Sequence, residues 1–183
     1  MFWLILIIVL VVLAALFVLY LYNGLISKRN RVENAWSQID VQLKRRHDLI
    51  PNLVETVKGY AAHERGTLDA VVQARNAAIS ATGPVATAQA ENQITGALRQ
   101  LFALSEAYPD LKANQGFLDL QEELTSTESR IAYARQFYND SVLKFNTKIE
   151  TFPAVALAGP LKFTKREYFE VDEGSRGNVQ VQF

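Results

Sequence analysis

From Phe2 to Tyr22 the chain is an unbroken uncharged run, and the first fixed charges, Lys28, Arg29 and Arg31, lie on its C-terminal side. At ~1.5 Å per helical residue these 21 residues can cross a hydrocarbon core about 30 Å thick. Beyond them the pattern turns from continuous to periodic. Trp36, Ile39, Leu43, Ile50, Leu53, Val57 and Tyr60 fall at helical spacing, followed by Leu68, Val71, Val72, Ala78 and Ile79. One heptad phase holds across Pro51, so the spacing predicts a single helix over 24–81, kinked at Pro51; a tight turn at Pro51 is the alternative. Thr82-Gly83-Pro84 ends that stretch and opens a second helix, which carries Ile94, Leu98, Leu101, Phe102 and Ser105 on one face and closes at Tyr108-Pro109-Asp110. Asn114 is a suitable cap for a third. Its stripe is Phe117, Leu120, Leu124, Ile131, Ala134, Tyr138, Phe145 and Ile149, interrupted by Thr127 and Ser141 and ended by Phe152-Pro153.

The pattern therefore predicts an all-α protein. A single N-terminal transmembrane helix (1–22) leads into an elongated antiparallel bundle of long helices (23–163), with three helices if Pro51 only kinks the first and four if it marks a turn. A C-terminal tail (164–183) follows, in which Val179 to Phe183 alternates like a strand but lacks a partner. In the three-helix arrangement the second helix returns along less than half of the first, and the third runs away from the membrane again. The stripe Trp36, Ile39, Leu43 and Ile50 is then left without cover in its own chain. Burying each such side chain is worth ~1.5–3 kcal/mol, so the stripe predicts self-association and a homo-oligomer.

The apolar run reads as an uncleaved anchor, because no basic region precedes it and no small-residue cleavage site follows. Trp3, Tyr20 and Tyr22 suit the two headgroup interfaces. Residues 23–47 carry six Lys/Arg against two Asp/Glu, while the rest of the chain carries 13 against 17. The Lys/Arg excess beside the run predicts an outside N-terminus and a cytoplasmic body. Lys28, Arg29, Arg31, Lys44 and Arg45 form the expected membrane-proximal basic set, each worth about 1 kcal/mol of attraction to anionic lipid when close to the headgroups. Membrane lipid is thus an expected partner, and nucleic acid is not, since the far body is mildly acidic. There are no cysteines, which excludes disulfides and thiolate metal sites.

Candidate chemistry is sparse. His47 and His63 point ~160° apart around one helix and cannot share a metal. Arg46 falls on the stripe between Leu43 and Ile50, where an apolar residue is expected. It either snorkels to solvent or is buried against a carboxylate such as Glu128, fixing helix register. Glu128, Arg130, Arg135 and Asn139, with Arg46, form a candidate polar network. No phosphate-binding Gly-rich loop, paired catalytic carboxylates or nucleophile elbow accompanies it, so no enzyme, cofactor, metal or catalytic residue is expected.

Several words along the chain carry a resemblance. They include Tyr22-Asn23-Gly-Leu-Ile, Asn34-Ala35-Trp36, Ile39-Asp40-Val41-Gln42-Leu43, and Arg46-His-Asp48-Leu-Ile-Pro51-Asn-Leu-Val54 running on to His63-Glu64. Tyr108-Pro-Asp-Leu-Lys-Ala, Phe117-Leu-x-Leu-Gln-x-Glu-Leu124, Thr127-Glu128-x-Arg130-Ile131-Ala132-x-Ala134-Arg135, Tyr138-Asn139, Phe152-Pro153 and Tyr168-Phe169-Glu170 continue it. Over roughly residues 20–170 the chain resembles the LemA family of bacterial membrane proteins; the residues after Asp172 are expected to fall outside the family pattern. The resemblance implies one N-terminal anchor, a cytoplasmic helical bundle, no established active site, and loose association with envelope maintenance or stress. Two functions follow: a membrane-tethered scaffold that binds itself and an unknown protein partner, or a sensor or adaptor relaying a signal to a soluble partner. A sensor requires a ligand pocket or an output module, and the chain is expected to have room for neither.

Overall fold

In a computed structural model, residues 1–169 are described, and they form helices without any strand. The helices are α1 (Phe2–Lys58), α2 (Arg65–Ser80), α3 (Pro84–Ser105), α4 (Pro109–Lys112), α5 (Gln115–Glu150) and α6 (Val155–Ala158). They divide into two compact units. Unit 1 comprises Met1–Ser37 and Gln136–Arg166, and unit 2 comprises Gln38–Arg135 together with residues 167–169.

Unit 2 is an up-down-up-down bundle of the C-terminal part of α1, α2, α3 and the N-terminal part of α5. Contacts fix the directions: His47 meets Arg75, Tyr108 donates to Glu64 (2.9 Å), Asn114 donates to the Tyr60 hydroxyl (2.9 Å), and Arg45 pairs with Glu123. Ile50, Leu53, Val57, Leu68, Val71, Ile94, Leu98, Leu101, Leu111, Phe117 and Leu124 fill one continuous core. Gly83, at φ +85, turns α2 into α3, in a conformation that a side chain disfavours. At the start of α5, Asn114 Oδ1 accepts from Phe117 N–H (2.9 Å), the expected cap.

The predicted 24–81 helix is corrected. It breaks, but at Gly59 to Glu64 rather than at Pro51, because Gly59 carries a poor helix propensity and the 57–61 turn is closed instead by Tyr60 and Ala61 N–H on Val57 O. Pro51 lies inside α1 on its exposed face. A proline there denies the carbonyl four residues back its helical partner. That carbonyl belongs to His47, and Arg75 Nε donates to it at 2.7 Å from α2. The side chain replaces the missing backbone donor, which is why the helix can continue.

The break at 59–64 reverses every helix after it. In unit 1, α5 accordingly runs antiparallel to α1, opposite to the expected direction. Tyr138 packs edge-to-face on Trp36 (5.4 Å), and Arg31 lies over Phe137 (5.3 Å). Phe163 packs edge-to-face with both Phe145 and Tyr22, with Arg29 5.9 Å from its ring centre. At the start of the expected C-terminal tail Arg166 is pinned: the Asn146 amide both donates to Arg166 O and accepts from Arg166 N–H, each at 2.9 Å. The alternation at Val179–Phe183 lies outside the described residues.

Candidate functional site

Two charged residues occupy apolar stripes in unit 2, Arg46 on α1 and Glu91 on α3, and each side chain is only 5% exposed. Arg46 Nη1 donates to Glu91 Oε2 (3.1 Å), and Nη2 donates to Thr95 Oγ1 (2.8 Å). Nη2 also lies 3.0 Å from Glu128 Oε2, but out of line for a hydrogen bond, so that contact is an ion pair alone. The second Glu91 oxygen faces His47 Nε2 at 2.6 Å; since a carboxylate oxygen only accepts, the imidazole is the donor. One guanidinium is thus held between two carboxylates, and an imidazole N–H donates to one of them. Such a cluster contributes little net stability compared with an apolar core of the same shape, but it penalises any register in which a charge is buried alone.

Beside the cluster is a cleft of about 330 Å³. Leu98, Phe102 and Leu124 give it apolar walls, Arg46 and Glu128 contribute charge, and Arg99, Thr125 and Ser129 supply further polar groups. This corrects the expectation that the chain has no room for a pocket. The volume suits a small, largely apolar molecule with one polar end.

Of the expected network, Arg46 and Glu128 meet directly. Arg135 stands over the Phe169 ring at 4.9 Å; burial lowers its pKa, against the opposing pull of Glu128 and Glu91. Arg130 is exposed and outside the cluster, and Asn139 belongs to unit 1. Sequence reasoning missed Glu91 and Thr95, and gave His47 a structural role without naming its partner. A signal was present, because Glu91 sits three residues before Ile94 and seven before Leu98, the acidic counterpart of the Arg46 misfit.

The other expected sites require correction. Lys44 pairs with Asp48 (2.9 Å), and this hydrogen bond holds the Asp48 carboxyl below its ordinary pKa; Arg45 pairs with Glu123. Arg29 is paired in the same way with Glu33 (3.8 Å), and all three pairs are solvent-exposed. The stripe expected to self-associate is covered by its own chain: Ile39, Leu43 and Ile50 are buried, and Trp36 is half-buried against Tyr138. The expectation failed because α5 returns along α1 after the break at 59–64. Among the described residues no three His, Cys, Asp or Glu side chains converge on a metal-sized site.

Fold and site together define a membrane-associated helical bundle with a charge cluster paired within one unit. The LemA family profile matches residues 35–183, and the chain belongs to that family. The match includes the residues after Asp172, which corrects the expectation that they depart from the family pattern. Protein LemA of Metamycoplasma hominis is 31% identical over 163 residues, covering 87% of this chain and 73% of that protein. Magnetosome protein MamQ 2 of Paramagnetospirillum magneticum is 26% identical over 175 residues, and magnetosome protein MamQ of Magnetospirillum gryphiswaldense is 25% identical over 174. These two matches cover 81% of this chain but only 64% of each relative. None of these relatives carries an enzyme's name.

Proposed function

We propose that the chain is a membrane-tethered, non-enzymatic helical scaffold that binds a protein partner on the cytoplasmic face of a bacterial inner membrane. Residues 1–22 are its anchor, 23–163 its working bundle and 164–183 its tail, and the N-terminus lies outside. The observation that carries this reading is α1: every side chain from Met1 to Tyr20 is exposed, and the helix continues without a break to Lys58. An apolar surface of that size is unfavourable in water and favourable in lipid. Lys28, Arg29 and Arg31, just past the run, support the orientation. The engagement of the Arg46 guanidinium by Glu91, Thr95 and Glu128, and of His47 by Glu91, supports a structural role for the cluster rather than chemistry. Likeness to LemA and to magnetosome proteins supports action at a membrane; envelope maintenance or stress is the process we assign to it. With the Trp36–Ile50 stripe covered, association with a different protein replaces self-association through that stripe. Photo-crosslinkers placed at the exposed Val72 and Tyr133 in the native membrane should give site-dependent adducts with a defined protein. Adducts with lipid alone, or with no protein at either site, would overturn the scaffold.

The cleft supports a second reading, a sensor or adaptor whose bundle responds to a small molecule. Thr125→Trp, which blocks the cleft from its exposed rim, separates the two. A scaffold keeps its crosslinked partner, and a sensor loses it or holds it constitutively.

A further inference from the structure

The antiparallel register of unit 1 places a second apolar element beside the membrane end of α1. Trp36 faces Tyr138, and α5 ends at Glu150, twelve residues further on; twelve residues back from Trp36 is Gly24. The chain after Glu150 therefore emerges level with the end of the uncharged run. The side-chain contacts agree, since the Phe163 ring packs 6.1 Å from that of Tyr22. Leu21 and Leu25 are buried, whereas every residue before Leu21 is exposed, so the cover over α1 begins where the apolar run ends.

Residues 151–161 carry no charge, while Lys148 and Glu150 precede them and Lys162 and Lys165 follow. Ala154 and Ala158 turn inward and are buried. The large side chains turn outward: Phe152 is 85% exposed, Val155 47% and Leu161 40%. An exposed apolar tip flanked by lysines, at the level where a spanning helix leaves the hydrocarbon, has the composition of an interfacial membrane contact.

We propose that residues 152–161 dip into the headgroup and acyl boundary of the same bilayer, forming a second foot beside the anchor. Its occupant is lipid rather than protein, because the tip continues the exposed apolar surface of α1 at one level. Two contacts on one face would fix the tilt of unit 1 against the membrane, which a single helix leaves free. The proposal rests on residues 2–22 crossing the bilayer, and the test separates the two. The chain has no cysteine, so nitroxide labels can be placed singly in the full chain at Phe152→Cys, Val155→Cys and Leu161→Cys, all exposed positions that tolerate a label. Leu10→Cys reports the anchor and Tyr133→Cys the aqueous body. In vesicles of phosphatidylcholine and phosphatidylglycerol, the three tip labels should collide more often with oxygen, which concentrates in lipid, than with a water-soluble nickel chelate, as should Leu10→Cys. Tyr133→Cys should show the reverse. Tip labels that behave like Tyr133→Cys while Leu10→Cys stays in lipid would overturn the foot and leave the anchor standing. Nickel access at Leu10→Cys would overturn the anchor and the foot with it.

Discussion

Arg75 should be needed only because residue 51 is proline. In an uninterrupted helix the His47 carbonyl would accept from the N–H of residue 51, which proline lacks, and Arg75 Nε donates to it instead at 2.7 Å. A hydrogen bond from a charged donor is worth about 1.5–3 kcal/mol, and stranding a partly buried carbonyl forfeits a similar amount. Arg75→Met keeps most of the side-chain packing and removes the donor, so it should cost about 2 kcal/mol. In a Pro51→Ala background the backbone supplies the donor, and the same change should cost only the residual packing, well under about 1 kcal/mol. The coupling between the two positions should thus be about 1–2 kcal/mol, several times the scatter expected of independent sites. Urea unfolding of the full chain in a mild detergent, followed by helical circular dichroism, measures all four corners of the cycle, with a constant slope required for comparison. Equal costs for Arg75→Met in both backgrounds would refute the substitution of side chain for backbone, and with it the account of why α1 survives Pro51.

Three further outcomes follow from the packing. Arg46→Ala leaves Glu91 buried without its cation and should destabilise unit 2 by ~3–5 kcal/mol, whereas Arg46→Met combined with Glu91→Leu and Glu128→Gln should recover most of that loss in the same unfolding assay. Ile39→Ala should cost ~2–5 kcal/mol of stability while leaving the sedimentation coefficient of the folded protein unchanged; dissociation of an oligomer at constant stability would restore the self-association stripe. Glu64 raises the Tyr108 pKa by accepting its hydrogen bond. Stability from this bond is fully present below the phenol's ordinary value of 10.0 and is lost as pH rises through the raised one, so Tyr108→Phe should flatten the alkaline limb of the stability profile.

Period and punctuation made most of the fold legible: the apolar run, the break at Thr82-Gly83-Pro84, and the Asn114 cap. The break at Gly59 was hidden because Val57 and Tyr60 keep the heptad spacing, although Tyr60 is in fact exposed. Periodicity reports which residues could share a face, not whether the backbone between them stays helical. That one misplaced turn reversed the direction assigned to α5, and with it the fate of Ile39 and Leu43. Arg46 announced itself as a charge in an apolar stripe. Its main partner, Glu91, obeys the same rule on another helix, but pairing the two misfits needs the relative register of α1 and α3, which a single sequence does not contain. The cleft was illegible for a related reason, since it is the space left between three helices rather than a property of any one.

Topology tests most directly the proposal that α1 tethers a cytoplasmic body to the membrane. A reporter active only in the cytoplasm, fused after Phe183 of the full chain, should give signal, and one active only after export should stay dark. Moving Lys28, Arg29 and Arg31 to the N-terminal side of the run should weaken or invert that preference. Signal from the exported reporter on the unaltered chain would contradict the account.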